Sequence, residues 1–370
     1  MNVPLRHTSS AHNGAAQQLT IVDCDIHPAY RTPADLHPFL PARWREHMTT
    51  FGEHLRQGLS GQLAWPRMMA AGMRLDAYPE QGPPGSDLAL MRRQHLDANG
   101  VEYGMLMQLS RGGMEERNLD FAAALSRAVN DWQIAAFVEP EPRLRAGIVV
   151  PQEDAAFAVT EIERRADDPR FSQILISPRS SDPLGHRRYW PIYEAAQRAN
   201  HPIALHVQGF SGGHASTASG WPTYYMQEHY AAATGMQTTL TSLVLEGVFE
   251  RFPGLKVALI EGGFTWAPAL CWRMDKHWER MRAETPQLKR PPSDYVREHC
   301  WFTTQPVEEP DDPQHLAEVI AWIGWDRVMF STDYPHWDFD HPQHVFKFQP
   351  TEEQKRKVFR DNAKALYGLP

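Results

Sequence analysis

The chain reads as an α/β protein that folds as a (β/α)8 barrel. Three observations lead there. Eight short apolar runs recur along the 370 residues, and helix-period patterns lie between them. The runs are continuously apolar, as in parallel strands covered on both faces. Carboxylates and imidazoles stand at the C-terminal ends of several runs, where such barrels place their chemistry.

In chain order, the expected strands are Thr20 to Ile26, Val101 to Leu109, Leu144 to Val150 and Gln173 to Ser177, then Pro202 to Val207, Leu255 to Ile260, Cys300 to Thr304 and Arg327 to Ser331. Several are closed by turn residues: Pro151, Pro178, Gly209, Gly262-Gly263 and Pro306. Apolar spacing of three and four predicts helices over Leu88 to Ala98, Phe121 to Phe137, Ala155 to Arg165 and Pro191 to Ala199. The series continues with Thr239 to Phe252, Pro268 to Met281, Gln314 to Ile323 and Glu352 to Leu366. Residues 1–18 are polar and Ala/Ser-rich and read as a disordered tail; 19–370 read as one barrel domain. Two segments are too long for ordinary barrel loops, 28–86 after strand 1 and 210–236 after strand 5. Both are expected as lid insertions over the active face. The alternative is decoration packed on the barrel side.

Composition narrows the function. With 37 basic and 45 acidic residues the formal net charge is −8, and no Lys/Arg run is long enough to seat a polyanion. Nucleic acid and anionic membrane are therefore not expected partners. No run approaches 18 apolar residues, and the N-terminus lacks an apolar signal region. Cys24, Cys271 and Cys300 are too far apart for a disulfide framework or a CxxC metal pair, so a reducing cytoplasm is the default setting.

The strand ends carry the chemistry. Strand 1 closes as Asp23-Cys24-Asp25-Ile26-His27, and the two-residue period puts Asp23, Asp25 and His27 on one face, with Cys24 and Ile26 toward the helices. Asp25 and His27 can both reach one cation; Asp23, a layer deeper, reads as a satisfied buried carboxylate. Strand 5 delivers His206, and strand 8 ends at Asp333, followed by His336. Each residue alone is ordinary, and a structural role is the commoner reading. Three such tips at one end of a barrel point to Zn²⁺, Mn²⁺ or Fe²⁺. Strand 6 ends in Glu261 before two glycines. It is a candidate general base, general acid or ligand of a second ion, against a rim ion pair with Arg111 or Arg179 as the plainer reading.

These residues resemble the amidohydrolase superfamily, in the amidohydrolase-related branch that includes aminocarboxymuconate-semialdehyde decarboxylase and γ-resorcylate decarboxylase. The resemblance runs from Ile21 to the C-terminus. It rests on Val22-Asp23-Cys24-Asp25-Ile26-His27, on Gly247-Val248-Phe249-Glu250-Arg251-Phe252-Pro253 leading to Glu261-Gly262-Gly263, and on Ser331-Thr332-Asp333-Tyr334-Pro335-His336. It implies a distorted TIM barrel with one divalent metal held by Asp25, His27, His206 and Asp333, and a homo-oligomer. Zinc is the leading ion, with manganese or iron as alternatives. Two departures stand out. The first position of the strand-1 pair is Asp25, where many members carry His. The decarboxylases place a catalytic His where this chain has Glu261. Ile176-Ser177-Pro178 offers no bridging ligand on strand 4, which favours a single ion. Glu261 could still recruit a second with His229 or His336, although packing explains His229 equally well.

Because carboxylates suit a proton shuttle from water, the first expectation is metal-assisted hydrolysis of an amide, ester, lactone or thioester, with Glu261 and Asp333 catalytic. The alternatives are non-oxidative decarboxylation of an aromatic or unsaturated acid, and a metal-stabilised barrel without turnover. Trp44, Trp65, Trp221, Tyr224 and Tyr225 in the insertions suit a planar or apolar small molecule. Gln108, Arg111 and Arg179 are candidates for its carboxylate, with rim solvation as the competing role.

Overall fold

In a computed structural model, residues 20–51, 72–109, 113–114, 116–207 and 223–370 are described. Eight parallel strands form one sheet in sequential order: β1 (Ile21–Ile26), β2 (Val101–Leu106), β3 (Leu144–Val149), β4 (Phe171–Ile176), β5 (Ile203–His206), β6 (Val257–Ile260), β7 (Cys300–Thr303) and β8 (Val328–Met329). Seven ladders join neighbours. The eighth side of the barrel closes differently, because β8 is only two residues long. Cys24 N–H donates to Phe330 O at 3.1 Å, His27 N–H to Tyr334 O at 2.8 Å, and Ile26 forms an isolated parallel bridge with Tyr334.

The strands are buried because helices cover them outside. Cys24 faces outward to the side chain of Tyr367 in the last helix, as the alternation on β1 requires. The capping residues are legible: Asn118 accepts from Phe121 N–H, Asp154 from Ala156 and Phe157 N–H, and Thr351 closes a capping box with Gln354. All three cysteines are buried and free. Among the described residues no helix is long and apolar enough to cross a membrane.

Several expected elements shift. The helix after β5 begins at Tyr225, not Thr239, and ends at Leu245; Val248–Arg251 is a separate turn. Its Gly, Thr and Tyr content hid it, since packing of Met236, Leu240, Leu243 and Val244 on the barrel overrides weak propensity. The insertion expected over 210–236 is therefore partly this helix, and 208–222 lie outside the described residues. In the other insertion, Pro33–Phe39 and Ala42–Phe51 are helical. Trp44 is buried against Phe121 with ring centroids 5.1 Å apart, so it packs on the barrel rather than offering a surface to substrate. Trp65 and Trp221 fall outside the described residues. The helix Pro292–His299 was not expected; it is short and starts on a proline.

Candidate metal centre

The strand tips converge. Asp25 Oδ1 lies 3.2 Å from His27 Nε2 and 3.4 Å from His206 Nε2, and His206 Nε2 lies 3.0 Å from Glu261 Oε2. Asp25, His27, His206 and Glu261 each bring a donor atom within 4.8 Å of the other three. His27, Asp333 and His336 make a second such group, with His27 Nε2 2.6 Å from Asp333 Oδ1 and His336 Nδ1 2.5 Å from the same oxygen. Of the expected quartet, three share the first group. Glu261, not Asp333, completes it, and Asp333 joins through His27.

The donor set fits a divalent cation. The Nδ1–H of His27 donates to Met107 O at 2.9 Å and that of His206 to Val207 O at 2.7 Å, which leaves each Nε2 lone pair facing the centre. Both Asp25 oxygens and His206 Nε2 are buried without an aligned hydrogen bond, although they approach one another closely. Groups that converge without bonding one another suit a shared ion better than a hydrogen-bond network.

Backbone geometry aims two of the carboxylates. Glu261 has φ 58° and Asp333 φ 62°, the left-handed region that costs a side-chain-bearing residue about 1–3 kcal/mol. The sharp turn expected at Gly262-Gly263 thus begins at Glu261 itself. Gly262 is needed for another reason: a Cβ there would sit 2.4 Å from Met236 Cγ. Gly85 plays a similar part at β1, where a Cβ would meet His27 O at 2.3 Å.

Burial and the charge of Glu261 hold the Asp333 carboxyl well above the usual carboxylate range. Burial works against a charged Asp25, but His27 and His206 keep its pKa low. Burial likewise opposes charge on His206, yet Asp25 and Glu261 carry its pKa well above the ordinary imidazole value. His336, partly buried, is lowered by desolvation.

The remaining candidates scatter. Gln108 is fully buried just past the carbonyl that holds His27. Arg179 is half-buried beyond β4, its N–H donating to Ser177 Oγ, and Arg111 lies outside the described residues. His229 faces Asp338, with Nε2 3.2 Å from Oδ2, and belongs to neither group. Tyr225 OH accepts from Trp337 Nε1 at 3.4 Å, and Tyr224 is exposed. The sequence reading missed Gln305, at the tip of β7. Its Nε2 donates to Asp333 Oδ2 at 3.2 Å and to Asp338 Oδ2 at 3.0 Å. A polar residue wedged between an apolar strand and Pro306 was the available signal.

A barrel with this cluster at its mouth suits metal-dependent lyases and hydrolases alike, and the comparisons bear on the choice. The amidohydrolase family model matches residues 22–369, and the chain belongs to that family, which places it among enzymes. Among curated proteins it is 28% identical to the γ-resorcylate decarboxylase of Polaromonas sp. over 310 residues, 79% of this chain and 91% of the relative. It is 27% identical to the γ-resorcylate decarboxylase of Rhodococcus jostii over 301 residues, 76% and 88% of the two chains. Among solved structures, a 5-carboxyvanillate decarboxylase of Novosphingobium aromaticivorans, with manganese and 4-hydroxy-3-methoxy-5-nitrobenzoic acid, matches at TM-score 0.72 with 20% identity over 96% of this chain and 98% of that one. The 2,6-dihydroxybenzoate decarboxylase from Rhizobium matches at TM-score 0.67 with 21% identity, over 95% and 99%. Hydrolysis, the first expectation from the carboxylates, is overturned: the curated relatives are decarboxylases. The error came from reading Glu261 and Asp333 as water-activating bases, when burial among like charges equips a carboxyl equally well to carry a proton.

Proposed function

We propose that this chain is a metal-dependent, non-oxidative decarboxylase of a hydroxylated aromatic acid. The observation that carries the reading is the 28% identity to a γ-resorcylate decarboxylase over 79% of the chain, with the strand-tip cluster in place. Asp25, His27 and His206 would hold the ion, with Glu261 beside them. The relatives crystallised with manganese make that the first ion to test, ahead of zinc. When bound, the cation would supply positive charge to offset that of an anionic substrate.

The residues of this chain do the rest. Asp333, whose carboxyl burial and the charge of Glu261 hold above the usual range, is the acid in this reading and gives its proton to the ring carbon that bears the carboxylate. The C–C bond then breaks, its electrons return to the ring, and CO₂ leaves. Asp333 ends as the carboxylate and is reprotonated before the next cycle. Gln305 and His336 fix its two oxygens, so the acid points one way. Gln108 and Arg179 are the described candidates for substrate orientation. A homo-oligomer is the expected assembly, which light scattering would measure.

The test is release of CO₂ by protein stripped with chelator and reloaded with manganese. A panel of 2,6-dihydroxybenzoate, 2,3-dihydroxybenzoate and 5-carboxyvanillate spans the chemistry. Manganese-dependent turnover of at least one member is expected, and Asp333→Asn should lower it by about 10²–10⁴, the usual worth of a positioned acid. No turnover of any aromatic acid by a fully loaded protein would contradict the reading.

A further inference from the structure

We infer that Asp23 is a positioning residue: its buried carboxylate takes the place of the missing β8–β1 ladder and sets the distance between Asp25 and Asp333. The inference rests on the metal centre proposed above.

Asp23 is fully buried, two residues before Asp25, and belongs to neither converging group. Its oxygens collect four donors. Oδ1 accepts from Asp25 N–H at 3.1 Å and Thr332 N–H at 2.9 Å. Oδ2 accepts from Thr332 Oγ1 at 2.5 Å and from His95 Nε2 at 2.7 Å. One carboxylate thus grips the backbone N–H of one proposed ligand and that of the residue just before Asp333. It does so on the side of the barrel where β8 has already ended and only isolated hydrogen bonds join the edges.

Asn99 Nδ2 lies 3.1 Å from His95 Nδ1, on the far side of the ring from the Nε2 that faces Asp23. Thr332 Oγ1 accepts from Tyr334 N–H at 3.3 Å and therefore gives its own proton to Asp23. All four contacts thus use the Asp23 oxygens as acceptors. His95 is itself held by stacking on Tyr334, with planes 6° apart and centroids 4.8 Å apart. Helix Arg92–Leu96, β1 and the loop after β8 are thereby locked into one unit beneath the centre.

An uncharged amide at this position can still accept both backbone N–H groups through Oδ1, but its NH₂ would confront the His95 and Thr332 donors. Removal of the side chain loses both clamps. A graded series follows: Asp23→Asn partly preserves the geometry and Asp23→Ala does not.

The experiment is titration calorimetry of Mn²⁺ into chelator-treated full-length protein, well below each variant's melting temperature. Outer-shell groups of this kind are worth about 10–100-fold in metal affinity. Asp23→Ala is expected to weaken Mn²⁺ binding within that range, Asp23→Asn and Thr332→Val by smaller factors. Ile162→Ala, a cavity in the helix Ala155–Arg165 away from this edge, should lower the melting temperature and leave the affinity unchanged. If Asp23→Ala does not fold, Asp23→Asn and Thr332→Val carry the decision. Wild-type affinity in folded Asp23 variants, whatever their melting temperatures, would overturn the inference and leave Asp23 a structural staple. The readout is metal affinity, so absence of CO₂ release would sink the decarboxylase reading without touching this one.

Discussion

At the scale of single residues, function and stability pull apart. Glu261 and Asp333 hold left-handed backbone that glycine would adopt freely. Glu261→Gly relieves that strain, worth about 1 kcal/mol, but also loses the 3.0 Å pair with His206; it should therefore melt above Glu261→Ala, which loses the pair and keeps the strain, while both variants weaken manganese binding. Thermal melting and calorimetry on the same preparations read both effects, and equal melting of the two variants without metal would contradict the strain argument. His206→Ala strips a proposed ligand whose second nitrogen is already committed to Val207 O. It should abolish measurable manganese binding with little change in the fold.

At the scale of elements, two carboxylates outside the centre set opposite pH dependences. Asp340 lies in the loop after β8, where its Oδ2 accepts from Val307 N–H and its own N–H donates to Thr332 O. Burial, with Asp338 and Glu309 nearby, pushes its carboxyl up to about 7. A folded-state pKa above the unfolded one means a contribution that is complete below about pH 4 and lost as the pH rises through about 7. Asp340→Asn should flatten the fall in melting temperature between pH 5 and 9 by removing that ionisation. Glu141 behaves in the reverse sense. Hydrogen bonds from Arg143, then Arg92, bring it down to about 2. Its contribution is present above about pH 4.5 and disappears as the pH falls toward about 2. Wild type and Glu141→Gln should therefore converge in stability on acidification, as urea midpoints at pH 6 and pH 3 would measure.

At the scale of the whole molecule, the eight-strand alternation and the tips Asp25, His27, His206, Glu261 and Asp333 were legible, because continuous apolar strands and polar residues at their ends are written in one dimension. Three things were not. The helix Tyr225–Leu245 forms through tertiary packing that propensity does not carry. The Asp23–His95–Thr332 clamp links residues up to 309 positions apart and leaves no local pattern. The direction of proton transfer depends on burial and like-charge proximity, so a buried acid and an exposed base look identical in sequence. The core itself tolerates little: Phe302→Ala in β7 should cost about 3–5 kcal/mol, read as a urea-midpoint shift, because the side chain is fully enclosed.

The central claim is that a proton from the protein replaces a carboxylate on an aromatic ring. It is tested most directly by turning over a hydroxylated benzoate in D₂O with the manganese-loaded enzyme and recording the product by NMR. One deuterium at the carbon that lost the carboxylate, matched by one equivalent of CO₂, is the predicted result. A product that keeps its carboxylate carbon, or takes up solvent oxygen in place of deuterium, would contradict the account.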